Sequence, residues 1–431
     1  MTATVRQPAP APPRTRRRAA SGREAALFAL AVLVIAVHVV DDNFVQPQPG
    51  TAAGDHLISG LLPLAVLGLA VWAYPRLRGG LRGALALVLG VLGIAAGIEA
   101  VHYTRAIGAS GDDFTGLFTL PAGLLLLGLG GVTLWRTRRR DGNRPWRYLR
   151  RLLLAGAGIL VAAWVVLPIG LGYVSTHVAR AVVPPNERGV PYEDVTFRTS
   201  DGLELEGWYV PSRNGAAVIA FPGRRGPQRQ TRMLARHGYG VLLFDRRGEG
   251  DSEGDPNSWG WGGGEDIKAA IAFLERRPDV DAGRIGGIGL SVGGELMLET
   301  AAETDALQAV VSEGAGARTF SEDMDQDVSG VERWMGVPLS AIKTASIAVF
   351  ANRRPPTNLE ELVGKIAPRP LFLIAAPNSP HGEDLNTGYF AAAGEPKTLW
   401  EIPESTHVGG LRARPEEYER RVTAFFDRAL R

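Results

Sequence analysis

The sequence predicts two parts of different class: an all-helical bundle of about five membrane spans, then a mostly parallel α/β sheet with helices on both faces. Three observations carry this. The first 175 residues are long apolar runs punctuated by arginine clusters. The remainder alternates short apolar runs with helical segments, which implies a parallel sheet covered on both sides. Between two such segments, Gly289-Leu290-Ser291-Val292-Gly293 joins a buried strand (Arg284 to Ile288) to a helix starting near Gly293.

Composition excludes some chemistry. The chain has 431 residues, a net charge of +2 and no cysteine, so disulfides and thiolate catalysis are out. The charge balance does not point to nucleic acid, and none is expected as a partner. Met1 to Ala20 is rich in Pro, Ala and Arg and reads as disordered within a basic segment 1–24.

Five apolar runs are long enough for a hydrocarbon core of about 30 Å: Ala25–Val40, Leu57–Trp72, Leu85–Val101, Leu117–Leu134 and Leu152–Val174. They make 25–175 a transmembrane domain with the bilayer as its partner. Six arginines precede the first run and none lies between the first and second. Arg76, Arg78 and Arg82 follow the second, and Arg105 alone follows the third. Arg136, Arg138, Arg139, Arg140, Arg144, Arg147, Arg150 and Arg151 lie around the gap before the fifth. Arginine-rich loops stay cytoplasmic. The pattern predicts a plasma-membrane protein with its N-terminus inside and, the span count being odd, everything after Val174 outside. His38, Asp41 and Asp42 close the first span; Glu99, His102 and Arg105 close the third. Such groups read as an interfacial ion pair fixing helix packing, with a metal or proton site as the alternative.

A linker (176–190) leads to the second part, 191–431. Tyr192 to Pro211 alternates about Asp201-Gly202 as a hairpin. Strands follow at Ala217–Phe221, Val241–Phe244, Ile285–Ile288, Ala309–Ser312, Pro370–Ala375 and Thr398–Ile402. Helices are expected at Thr231–His237, Asp266–Arg276 and Glu416–Leu430. Ligand chemistry in such sheets gathers at the C-terminal strand ends.

The candidate nucleophile is Ser291. A strand reversing sharply into a helix strains the serine, and glycine two positions before and after it removes Cβ clashes. A serine hydroxyl needs a base. The soluble half holds three histidines, His237, His381 and His407. His237 ends a helix and reads as structural. His407 follows the last strand and reads as the base. The base needs a carboxylate to hold its tautomer; the loop His381 to Asn386 supplies Glu383 as first choice and Asp384 as second. Two N–H donors must hold the oxyanion: Val292, and the loop after Phe221, where Gly223 permits the turn and Arg224 supplies the N–H. This chemistry needs no cofactor and no metal.

These residues resemble those of the α/β-hydrolase superfamily over roughly Val190 to Arg431. Asp201-Gly202-Leu203, Phe221-Pro222-Gly223, Arg247-Gly248-Glu249-Gly250-Asp251-Ser252, Gly289-Leu290-Ser291-Val292-Gly293 and His407 fall in family order. The match is most like the esterase, thioesterase and dipeptidyl-peptidase-like branch. Two features depart from it: Pro222 stands where the family often has His, and the acid loop is longer than Gly-x-x-Asp. The resemblance implies an α/β hydrolase fold and a membrane-anchored serine hydrolase acting on a small-molecule or lipid-like ester or thioester. A serine peptidase, or a non-catalytic module beside a transport or scaffold domain, are the alternatives. In this superfamily the interval 316–356 often caps the site, and here it holds Phe320, Met324, Trp334, Met335, Val337, Leu339, Ile347 and Phe350. Gly260–Gly264 lacks the Lys-Ser/Thr of a nucleotide loop and reads as a flexible connection.

Overall fold

The computed structural model describes residues 20–107, 111–138, 143–178, 183, 190–325, 330–379 and 383–430. Eight strands form one sheet in the order β1-β2-β4-β3-β5-β6-β7-β8. They are β1 (Glu193–Arg198), β2 (Glu204–Val210), β3 (Ala217–Phe221), β4 (Gly240–Phe244), β5 (Ile285–Leu290), β6 (Ala309–Glu313), β7 (Leu371–Ala375) and β8 (Lys397–Glu401). The first hairpin and the β2/β4 pair are antiparallel; all later pairs are parallel. β3 to β7 are buried along their whole length, as a sheet covered on both faces requires.

Each face has its own apolar core. Helices Gly264–Glu275 and Val292–Glu303 close one around Ile267, Leu274, Leu296 and Met297. Helices Gln228–Arg236 and Pro415–Leu430 close the other around Leu234, Val422 and Phe426. The buried Arg247 ties the first face together. Its backbone N–H and Nε donate to Asp266, at 2.9 and 2.8 Å, and Nη1 donates to Asp201 at 2.7 Å. The Asp-Gly turn and the Arg-Gly motif, far apart in sequence, are thus two ends of one clamp.

Among the described residues, five helical segments, Gly22–Val45, Ala53–Arg76, Gly79–Val101, Phe114–Thr137 and Arg144–Thr176, are long and apolar enough to cross a membrane. Phe28 stacks on Tyr74 with ring centroids 3.8 Å apart, in a small core shared by the first four segments. Most of the expected linker lies outside the described residues.

In the interval 316–356, where a cap is expected, helix Gly330–Phe350 packs along the end of the fifth apolar segment: Trp334 meets Trp164 edge-on at 5.5 Å, and Phe350 meets Tyr173 at 5.4 Å. Ser346 sits against Gly172 of that segment, and the small size of the pair allows the approach.

Asp266 is fully buried and depends on Arg247 for its charge balance. Removing one partner of such a pair costs about 3–5 kcal/mol. Arg247→Met is expected to lower stability by that order in a denaturant titration, and Arg247→Met with Asp266→Asn is expected to recover part of it.

Candidate active site

β5 runs straight into helix Val292–Glu303, and Ser291 at the junction has φ 53° and ψ −124°. A non-glycine residue in that region stores about 1–3 kcal/mol of strain and persists only where its surroundings hold it. The flanking glycines explain the hold. A Cβ on Gly289 would lie 2.1 Å from the Gly293 carbonyl oxygen; one on Gly293 would lie 2.5 Å from the Phe221 carbonyl oxygen. The turn therefore closes tightly against the end of β3.

Two loops from neighbouring strand ends complete the cluster. His407, in the loop after β8, has Nε2 2.8 Å from Ser291 Oγ. Its Nδ1 lies 2.7 Å from Glu383 Oε1, in the loop after β7. With its proton on Nδ1, the ring donates to the carboxylate and accepts from the serine. Glu383 is 1% exposed, and its Oε2 accepts from the Ala376 backbone N–H at 2.6 Å. The His407 side chain is 25% exposed. The acid is shielded while the base stays open to solvent.

Asp384, the second choice for the acid, is exposed at the position before helix Leu385–Ala392, while the bond to His407 Nδ1 comes from Glu383. His381 lies outside the described residues. His237 pairs with Glu419 of the C-terminal helix at 2.9 Å, consistent with a structural role.

The expected oxyanion donors need one correction. The Arg224 backbone N–H donates to Asp245 Oδ1 at 2.7 Å, and its Nε donates to Asp245 Oδ2 at 2.7 Å. Buried Asp245 needs both bonds to offset the loss of water. Arg224 thus fixes the loop, and Val292 and Gly223 are what remain of the predicted set. Gly223 sits at φ +69° at the turn, and Val292 is the first residue of the helix. The Gly260–Gly264 run also differs from the open connection expected. Gly260 abuts Val292 and Leu296, and Trp261 is 2% exposed.

Two carboxylates were missed. Glu313 ends β6, buried, and accepts from Gly410 N–H at 2.8 Å and from the Tyr418 hydroxyl at 2.6 Å. It pins the chain three residues beyond His407, and burial pushes its carboxyl up. The signal was a charged residue closing an otherwise apolar buried strand. Glu295, on the elbow helix, accepts from Gly316 N–H at 3.1 Å. Burial pushes it up to about 7, with Arg318 and the Gly316 bond acting in the opposite direction.

Strand order, elbow and loop positions decide the architecture. The C-terminal half has an α/β-hydrolase fold. Comparison with known proteins shows what this half is similar to. Residues 182–362 match the family model for X-Pro dipeptidyl-peptidase, S15 family. That match includes Ser291 and ends before Glu383 and His407. The chain is similar to the uncharacterized Escherichia coli protein YfhR, 26% identical over 256 residues, covering 55% of this chain and 81% of that one. It is 35% identical to an uncharacterized Mycobacterium tuberculosis protein over 156 residues, 34% of this chain and 47% of the other. Among solved structures, a Pyrococcus furiosus esterase aligns over 58% of this chain and 98% of its own, with 23% identity and a TM-score of 0.47.

The hydrolase half also meets the helical bundle at a polar cavity of about 320 Å³, separate from Ser291. His38, Asp42, His56, Glu99 and His177 line one side; Asp201, Arg247, Asp255 and Arg353 line the other. The expected Glu99/His102 pair is only half described, the His102 side chain lying outside the described residues. His177 Nε2 lies 3.7 Å from Asp42, and His56 Nε2 lies 3.7 Å from Asp255. Ser258 N–H donates to the Ser175 carbonyl at 2.9 Å, and Gly254 N–H to that of Pro49 at 2.8 Å. The first loop and the end of the fifth helix thus hold the hydrolase half.

Glu295 gives a pH test. Its folded value of about 7 lies above the ordinary 4.5, so between those values the native state binds more protons than the unfolded chain. Stability therefore falls as pH rises through that window. Glu295→Gln is expected to gain on the parent by about 3 kcal/mol between pH 4.5 and 7 in matched denaturant titrations. Glu313→Ala removes the acceptor of the Tyr418 hydroxyl and the Gly410 N–H and is expected to lower kcat with little change in KM.

Proposed function

We propose that the protein is a membrane-anchored serine hydrolase that cleaves an ester or thioester through an acyl-enzyme. The hydrogen-bonded run Ser291–His407–Glu383 carries this reading. Ser291 Oγ adds to the substrate carbonyl carbon as its proton passes to His407 Nε2. The negative oxygen is received by Val292 N–H, at the head of a helix, with Gly223 as its partner. The carbon–oxygen or carbon–sulfur bond then breaks, and the alcohol or thiol leaves with the proton from Nε2. Water repeats the cycle, releasing the acid and restoring Ser291. Glu383 holds the tautomer and balances the imidazolium; Asp384 takes no part.

The five apolar helices support anchoring of a domain over 25–175, and the hydrolase domain follows from 191. The arginine distribution supports an N-terminus in the cytoplasm and a hydrolase half outside the plasma membrane. The substrate class is a small-molecule or lipid-like ester. A second reading, a dipeptidyl-peptidase-like serine peptidase, is favoured by the family match over residues 182–362.

The test is steady-state turnover by the full chain in detergent on a short-chain p-nitrophenyl ester, an acyl thioester and an Xaa-Pro p-nitroanilide. Ester or thioester turnover is expected to exceed peptide turnover. Ser291→Ala and His407→Ala are expected to lose about 10³-fold or more in kcat, Glu383→Ala somewhat less, and Asp384→Ala about nothing. Full activity in Ser291→Ala discards the assignment; preference for the p-nitroanilide selects the peptidase; no turnover on any substrate favours a non-catalytic module.

A further inference from the structure

Helix Gly330–Phe350 exposes large apolar side chains at its N-terminal end. Ser340, Thr344, Ser346 and Ile347 are buried further along, while Trp334 is 68% and Met335 48% exposed, with Val337 beside them. A helix end facing water turns such apolar residues inward. The exposed side continues into a surface with the same character. Trp164 touches Trp334, and Leu160, Leu167 and Leu171 of the same apolar segment are exposed around it. The packing between the two helices is also of a kind found in membranes. A Cβ on Gly172 would lie 2.5 Å from Ser346 Cβ, so small residues let the backbones approach.

From these observations we infer that helix Gly330–Phe350 is a further membrane element, its N-terminal end dipping into the outer boundary of the bilayer with Trp334, Met335 and Val337 among the acyl chains. The inference rests on the membrane reading above. Depth follows from helix geometry. Arg151 to Trp164 is a rise of about 20 Å, with Arg151 at the cytoplasmic edge of the fifth span. In a core of about 30 Å the tryptophan pair then sits about 10 Å below the outer edge. That matches the depth of amphipathic helices lying in the interface, about 5–10 Å. Arg333, at the deeper end, has a stem along which its guanidinium reaches toward the headgroups. The helix also lies near the catalytic cluster. Lys343 Nζ is 4.6 Å from the Trp259 ring, and the next residue, Gly260, abuts Val292 beside Ser291. The hydrolase half is thereby held against the leaflet, where an ester carried by a bilayer lipid is the substrate nearest to hand.

The chain has no cysteine, so each single substitution takes one label. Spin labels at Trp334→Cys, Met335→Cys, Ile159→Cys and Ser405→Cys in the full chain in lipid nanodiscs report collision with oxygen, enriched in lipid, and with a nickel chelate, confined to water. Positions 334 and 335 are expected to follow 159, oxygen-accessible and nickel-shielded, while 405 shows the reverse. Nickel access at 334 and 335 with 159 in lipid overturns the inference and leaves the membrane reading standing. Nickel access at 159 overturns both. Shielding of 334 and 335 from both reagents means that protein covers the face, such as a second copy, and also overturns the inference.

Discussion

One strained residue organises the catalytic end of the sheet. Ser291 occupies a backbone conformation that side chains avoid, and it is held there because strand β5, the helix after it and the end of β3 leave no other path. The chain bends too sharply for a Cβ at 289 or 293. In return the hydroxyl stands above the sheet, within hydrogen-bond reach of an imidazole from another loop.

Around that turn lies a ring of buried carboxylates, each with a different load. Glu383 faces His407. Glu313 grips the chain beyond His407 through Gly410 and is itself gripped by Tyr418. Asp245 holds the loop after β3 through Arg224, and Asp266 holds the loop after β4 through Arg247. The loops after β3, β4 and β8 are therefore each fixed by a buried carboxylate accepting a backbone N–H, a type of bond that is strong away from water. This rigidity matters for catalysis because misplacing a base by about 1 Å can cost about 10²-fold in rate.

Much of this was legible in the sequence. Short apolar runs alternating with helical periodicity mark β3 to β7, and the G-x-S-x-G spacing picks out Ser291 once an acid loop and His407 follow it in order. Neighbouring residues such as Glu383 and Asp384 could not be separated by type. The structure separates them by direction, one turned inward to His407 and the other outward at a helix start. Arg224 was misread because a backbone N–H carries no label in the sequence saying which acceptor it meets, and Asp245 lies 21 residues away. Glu313 and Glu295 were overlooked because a lone carboxylate in an apolar run shows that something must satisfy it, but not what. The interval 316–356 was apolar enough for a pocket. Only the third dimension reveals that Trp334, Met335 and Val337 are exposed, and that the neighbour of this interval is the fifth apolar helix.

The central claim is that Ser291 is a nucleophile activated by His407. It is met most directly by reaction with a fluorophosphonate, which bonds covalently only to an activated serine, followed by peptide mass mapping of the full chain. The account predicts a single adduct, on the peptide carrying Ser291, that disappears in His407→Ala. An unmodified Ser291, or an adduct of equal yield without His407, would contradict it.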